Sequence, residues 1–178
     1  MKTTFHLAAI LTTLCFLFSA CQSTEKKAIE QQLNTFFAKT VMHSEVDQTA
    51  LSSELGGLLQ QAMEAEKNDA VATKNGPFPT DKPLLIEGDI FSSLYEGRTN
   101  ATIQTININK QQAKAVLALE NKSYNMQWTD TVVLVKEQEA WKIDDVLYGH
   151  PNNLSSTRKV LNSFLGAYRQ KLNVTPKS

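Results

Sequence analysis

The stretch from Trp128 to Tyr148, WTDTVVLVKEQEAWKIDDVLY, constrains the fold more than any other part of the sequence. Two runs rich in β-branched and aromatic residues flank a polar tetrad at 137–140, which is typical of a β-hairpin. Because side chains alternate across a strand, every second residue of the second run is expected on one face. These residues are Trp141, Ile143, Asp145 and Leu147. The pattern therefore predicts a carboxylate on an otherwise apolar strand face.

Two further alternating segments precede the hairpin, and short polar turns separate all four segments. The predicted strands are Thr99 to Asn109, Ala113 to Glu120, Met126 to Lys136, and Ala140 to Tyr148. Consecutive strands with short connections predict an antiparallel meander. Such a sheet has one solvated face and one face that other elements must cover.

Helical spacing of apolar residues predicts three helices that cover this face, which gives an α+β fold. The first covers Lys27 to Lys39, the second begins near Asp47 as N-cap, and the last follows Ser155 or Ser156. Gly56 and Gly57 interrupt the second helix, and close packing or a kink explains them better than a functional hinge. The pattern breaks from Asn68 to Pro83, which predicts a surface loop with Phe78 packed onto the core.

The first residues are typical of an export signal. After Lys2, an apolar run from Leu7 to Phe18 rises only about 18 Å as a helix, which suits a signal peptide better than a membrane span. The segment Leu17 to Cys21 resembles a bacterial lipobox, in which the cysteine becomes the acylated first residue. The alternative is an ordinary secretory signal cut elsewhere. We expect residues 1–20 to be the signal peptide, 21–27 a tether and 28–178 one domain.

The lipobox resemblance implies that acyl chains on Cys21 anchor the protein to a membrane of the bacterial cell envelope. By resemblance to the sorting rule of Gram-negative lipoproteins, Gln22 after the cysteine favours the outer membrane. Cys15 and Cys21 are the two cysteines of the chain, so no disulfide framework is expected in the folded domain.

Charge and motifs exclude several classes of function. Lys plus Arg equals Asp plus Glu at 18 each, and no basic cluster exceeds Lys26–Lys27, so nucleic-acid binding is not expected. No motif for a phosphate, a redox dithiol or a catalytic metal is present, so we expect no cofactor. His43 lies near Glu45 and Asp47 but lacks a second histidine, so no metal site is expected there either.

The candidate site residues carry structural alternatives. Asp89 precedes Ile90 and Phe91 in the pattern of an N-cap followed by one or two helical turns. Asp145 is expected to accept hydrogen bonds that lock the Asp89 segment to the sheet, because a buried carboxylate must be satisfied. Trp141 is expected to be structural as well.

Aromatic and arginine side chains dominate contact energies, so they are the candidates for gripping a ligand or partner at the mouth of the fold. The candidates are Arg98, Tyr95, Tyr124, Trp128 and Tyr148. Packing in the core or on the surface is the more frequent fate of any one of them.

The segments Gly88 to Phe91, GDIF, and Trp141 to Tyr148, WKIDDVLY, resemble an uncharacterised family of small bacterial secreted and lipoprotein domains. Its superfamily is the cystatin-like, or nuclear-transport-factor-like, superfamily, which implies a cone-shaped α+β fold. The family has no established activity to carry over. Superfamily relatives such as ketosteroid isomerases use an acid at the cone floor as general base, which implies an alternative catalytic role for Asp145. His150 follows the last predicted strand at the rim and is a candidate proton shuttle, although a lone histidine beside a proline more often lies on the surface without a function.

Three functions follow as hypotheses. The favoured one is a non-catalytic, lipid-anchored envelope module that binds a partner protein or a small ligand through the cone mouth or the loop from Pro77 to Pro83. The second is a small hydrolase or isomerase that uses Asp145 with Tyr148 or His150. The third is an inhibitor or immunity protein directed against a peptidoglycan-directed toxin.

Overall fold

The computed structural model describes residues 22–38 and 42–174, and its centre is one four-stranded sheet. The strands are β1 (Asn100–Asn109), β2 (Gln112–Asn121), β3 (Met126–Glu137) and β4 (Ala140–Leu147). They pair antiparallel in chain order, β1-β2-β3-β4. The predicted meander is therefore confirmed.

Three α-helices accompany the sheet, which confirms the α+β class. They are α1 (22–36), α2 (Ser53–Asn75) and α3 (Thr157–Val174). Their apolar stripes join the apolar face of the sheet in a single core, whose fully buried side chains include Ile29, Leu33, Leu55, Leu59 and Leu161. No helix in the described ranges has the length and apolar character needed to cross a bilayer.

The helices differ from the predicted bounds at their ends. Residues 22–27, assigned to a tether, already belong to α1, and Glu25 Oε1 of this segment lies 2.8 Å from Lys136 Nζ on β3. The predicted end at Lys39 lies outside the described residues, and the helix ends at residue 36. Cys21 and the predicted signal peptide also lie outside the described ranges.

The second helix begins at Ser53, six residues after the predicted cap. Ser52 is its N-cap, because its Oγ accepts a hydrogen bond from Leu55 N at 3.0 Å. Asp47 instead caps the short 3-10 turn Gln48–Ala50. The helix also runs on to Asn75, so the break expected from Asn68 is wrong. Phe78, expected on the core, is 68% exposed.

A β-bulge in β4 changes which residues face the core. Val133 lies opposite Asp145 and Leu134 opposite Ile143, so Asp144 is an extra residue on β4. A bulge of this kind shifts all later side chains to the other face. Val146 is fully buried as a result, whereas Leu147 is 38% exposed. The prediction that Asp145 and Leu147 share a face with Trp141 and Ile143 is therefore wrong.

Residues 76–99 connect α2 to β1 without regular secondary structure, so the helical turns predicted after Asp89 are wrong. Gly88 has φ +73°, and a Cβ at this position would lie 2.7 Å from Tyr95 Cδ2. Only glycine fits this backbone, which then turns sharply at Asp89. The backbone conformation at Gly88 thus explains the glycine of the GDIF segment in structural terms.

Candidate functional site

Asp130 on β3 is the centre of a buried polar cluster that sequence reasoning did not identify. The Oδ1 atom accepts from Ser93 Oγ at 2.6 Å and from Gly149 N at 2.9 Å. The Oδ2 atom accepts from Ser93 N at 2.9 Å and from Trp128 Nε1 at 3.1 Å. Because the residue is only 1% exposed, these four donors replace the water that a carboxylate requires. Asp130 therefore holds the 88–99 segment against the sheet.

Asp89 and Arg98 form a buried ion pair beside Asp130. Asp89 Oδ2 accepts from Arg98 Nη1 at 2.5 Å, and Asp89 Oδ1 accepts from Phe91 N at 2.9 Å. The guanidinium also lies 4.6 Å from the ring centre of Phe37. Burial lowers the pKa of Arg98, and the charges of Asp89 and Asp130 oppose that shift. Asp89 thus has the structural role expected of it, as the cap of a turn rather than of a helix.

Tyr148 closes the cluster from the end of β4. Its Oη donates to Ile90 O at 2.5 Å, and Thr157 Oγ1 donates to the same oxygen at 2.6 Å. Burial raises the pKa of the Tyr148 phenol. The phenol therefore stays protonated and links the 88–99 segment to the start of α3.

The predicted ligand-gripping mouth is not assembled. Arg98, Trp128 and Tyr148 are buried in the cluster around Asp130 and are 5%, 7% and 7% exposed. Tyr95 and Tyr124 are exposed on the surface. The Arg98 guanidinium pairs with Asp89, the Trp128 indole donates to Asp130 and the Tyr148 phenol donates to Ile90 O. All three side chains therefore hold the cluster together instead of facing solvent.

Asp145 has a different role from the one predicted. Its Oδ1 accepts from Val146 N at 2.9 Å and from Arg158 N at 3.0 Å, so it caps the first turn of α3. His150 donates its backbone N–H to Ser93 Oγ at 3.2 Å, and its Nδ1 accepts from Asn152 N. No hydrogen bond joins Asp145 to His150 in the described chain. The lock predicted for Asp145 is supplied by Asp130.

A groove of about 580 Å³ lies between α1, the 45–50 segment and the β3–β4 turn, and we call it the helix–hairpin groove. Volumes of this size are typical of small-molecule sites. The lining residues are Ala28, Gln31, Gln32, Thr35, Phe36, Glu45, Val46, Asp47, Thr49, Ala50, Glu139, Ala140, Trp141 and Lys142.

The helix–hairpin groove combines a buried apolar part with exposed polar groups. Phe36, Val46 and Trp141 supply the apolar part. Lys142 Nζ donates to Thr49 O at 2.5 Å, which fixes the 45–50 segment to β4. The lining includes no His, Cys or Ser, and its ionisable side chains are Glu45, Asp47, Glu139 and Lys142.

Two acids on α2 also escaped prediction. Glu66 accepts from Ile86 N and lies 2.9 Å from His43 Nε2, and Asp69 accepts from Leu84 N. They hold residues 84–86 alongside the helix. Their spacing of three residues on the buried side of a helix was the available signal. Across the described ranges, no three His, Cys, Asp or Glu side chains gather as a possible metal site.

The sequence matches no known protein family, and no curated protein shows significant similarity to it. The resemblance of the GDIF and WKIDDVLY segments therefore stays a prediction.

Proposed function

We propose that the protein is a non-catalytic, lipid-anchored module of the bacterial cell envelope that binds a small ligand or a short partner segment in the helix–hairpin groove. The observation that carries the proposal is the groove itself, with about 580 Å³ of space and both apolar and polar lining. A few polar groups around an apolar floor are what orient a bound ligand in such sites.

The placement of Asp130, and of Asp145, the acid predicted as the catalytic alternative, supports a binding role over a catalytic one. Asp130 is saturated by four hydrogen bonds, and Asp145 accepts from two backbone N–H groups. Neither residue lines the helix–hairpin groove. A general base must reach the proton that it removes, so these carboxylates are poor candidates.

The anchor and the groove share α1. The helix is already formed at residue 22, directly after the predicted acylated Cys21. With a rise of about 1.5 Å per residue, Ala28 lies only about 9 Å along the axis from residue 22. The proposal therefore places the bound ligand close to the membrane surface, within reach of ligands borne by that membrane.

One labelling measurement and one binding measurement test the proposal. Metabolic labelling with an alkyne palmitate analogue is expected to tag the wild-type chain. The Cys21→Ala variant is expected to carry no tag and to be absent from the membrane fraction. Binding of aromatic and short aliphatic fragments is then measured on a Cys21→Ser background.

Ala28→Trp fills the helix–hairpin groove, and Lys27→Trp is the matched control, because it adds the same side chain one position away and outside the groove lining. We expect Ala28→Trp to abolish fragment binding and Lys27→Trp to keep it. Equal loss in both variants, or no fragment that binds the parent chain, contradicts the proposal.

A further inference from the structure

β1 leaves one edge of the sheet open. At the other end of the sheet, β4 is covered by isolated bridges to Leu51 and Ser156. No described residue bridges to β1 on the side away from β2. Because a strand presents backbone N–H and C=O groups to both sides, this edge offers an unused row of donors and acceptors.

The sequence of β1 does not protect this edge. The strand reads NATIQTININ, with no charged residue and no proline in ten positions. Edge strands usually carry such residues because they prevent pairing with other chains. A register shift between Ile103 and Thr105 is the one feature of β1 that opposes strand addition, and the pairing with β2 is regular on both sides of it.

α1 runs alongside the open edge and makes it into a groove of about 330 Å³, which we call the edge groove. Its helical wall is formed by Lys26, Glu30 and Asn34, and its floor by residues 101–106. The three wall residues follow each other at intervals of four, so they share one helix face. None of their side chains hydrogen-bonds or ion-pairs with another described residue, so both wall charges are available to a ligand.

We propose that the edge groove binds an extended segment of a partner protein, which adds to the sheet as a strand beside β1. Strand addition in a groove takes its affinity from backbone hydrogen bonds and its specificity from alternate side chains. This surface is separate from the helix–hairpin groove, and the inference does not depend on ligand binding there.

The wall charges define the chemistry of the segment. Lys26 and Glu30 are one helical turn apart, about 6 Å along the axis. Residues two apart on one face of a strand are about 6.8 Å apart, which matches that spacing. The segment therefore carries one acidic and one basic side chain two residues apart, which face Lys26 and Glu30.

A second copy of this chain fits the edge groove less well. The side chains of β1 that share the core-facing side of the sheet are Ala101, Ile103, Ile106 and Ile108, since they pair with core-facing residues of β2. A β1 strand from another copy would bring no charge to either wall residue. The α1 helix of that second copy would also have to be accommodated at the same edge.

Two peptides of Thr and Val test the proposal on the purified chain, one with Asp two residues before Lys and the other with Lys two residues before Asp. We expect one of them to bind about fivefold more tightly, as two solvated ion pairs allow. It should slow amide hydrogen exchange within 100–109. N-methylation of alternate peptide amides should abolish its binding.

The double variant Lys26→Glu, Glu30→Lys is expected to reverse the preference between the two peptides. Its control is Lys27→Glu, Gln31→Lys, which places a Glu and a Lys at the same spacing outside the edge groove wall, although Gln31, unlike Glu30, is neutral in the wild type. The control is expected to keep the wild-type preference.

The proposal is overturned if neither peptide binds at about 1 mM, or if bound peptide protects amides outside β1. It is also overturned if the wall variant keeps the wild-type preference. Self-association that protects β1 without peptide would assign the edge to a second copy instead. Ala28→Trp should leave peptide binding intact. A failure of the proposed fragment binding can therefore be distinguished from a failure of the proposed strand addition.

Discussion

Asp130 and Asp145 show how two acids on neighbouring strands acquire different roles. Asp130 uses both oxygens, and each accepts two hydrogen bonds from the 88–99 segment, Trp128 or Gly149. Asp145 uses Oδ1 for two backbone N–H groups at the start of α3. An amide can replace the second arrangement but not the first, because its NH₂ group cannot accept a hydrogen bond.

Asp130→Asn is expected to lower the free energy of unfolding by about 1.5–3 kcal/mol, the usual contribution of a hydrogen bond to a charged group. Asp145→Asn is the matched variant, and it should change stability by less than about 0.5 kcal/mol because Asn caps helices as well as Asp does. Urea titrations of both proteins measure the difference. A larger loss in Asp145→Asn would contradict the roles assigned here.

Tyr148 is expected to make the free energy of unfolding depend on pH in alkaline solution. Its pKa is raised in the folded state by burial, whereas an unfolded tyrosine titrates near pH 10. Its stabilising contribution is therefore complete below about pH 10 and is lost as the pH rises from there towards the folded pKa, by about 1.4 kcal/mol per unit. Tyr148→Phe should remove this slope. Unfolding free energies measured between about pH 9 and 11 test it, and equal slopes in the two proteins would refute it.

Sequence alternation could have identified Asp130, since it shares a strand face with Trp128 and Val132. Its place between Thr129 and Thr131 made the run look like a polar stretch of strand. The same alternation gave the wrong face for Asp145, because the bulge at Asp144 depends on pairing with β3. A local alternation pattern predicts the face on which a strand residue lies only where the pairing with the neighbouring strand stays regular.

At the scale of elements, the strands were predictable and the helix ends were not. Each strand lies within about two residues of its predicted bounds, because alternation and polar turns are local signals. The cap of α2 depends on Ser52, whose Oγ also donates to Asp144 Oδ1 at 2.7 Å. That contact joins residues 92 positions apart, which no local pattern contains.

Gly57 lies inside α2 without a packing reason. A Cβ there would meet no atom within 4 Å, and one at Gly56 would lie 3.8 Å from Leu51 Cβ, an ordinary contact. Close packing, one of the two explanations predicted for this glycine pair, is therefore wrong, and the other, a kink, stays a prediction.

Gly57→Ala should raise the free energy of unfolding by about 1 kcal/mol, the difference in helix propensity. Gly88→Ala is the contrasting control and should destabilise the fold, because its φ of +73° and the nearby Tyr95 exclude a Cβ. Thermal melts of both variants give the comparison. A Gly57→Ala protein that is less stable than the wild type would contradict the expectation that helix propensity alone decides the effect at this position.

At the scale of the whole molecule, both grooves arise where α1 lies beside the sheet. One flank of α1 faces the β3–β4 turn, and the other flank faces the open edge of β1. The sequence indicated an amphipathic helix but not which elements would meet its flanks, because those contacts are long-range. Sequence reasoning located neither groove, and both enter the account only as proposed binding surfaces.

The two tryptophans of the chain allow a direct test of binding in the helix–hairpin groove. Trp141 lines the groove, whereas the Trp128 indole N–H is bonded to Asp130 in the buried cluster. In ¹⁵N-labelled protein titrated with the fragment library, bound fragments are expected to shift the Trp141 indole resonance and leave that of Trp128 unchanged. A library that moves the Trp128 resonance alone, or neither resonance, would contradict the account.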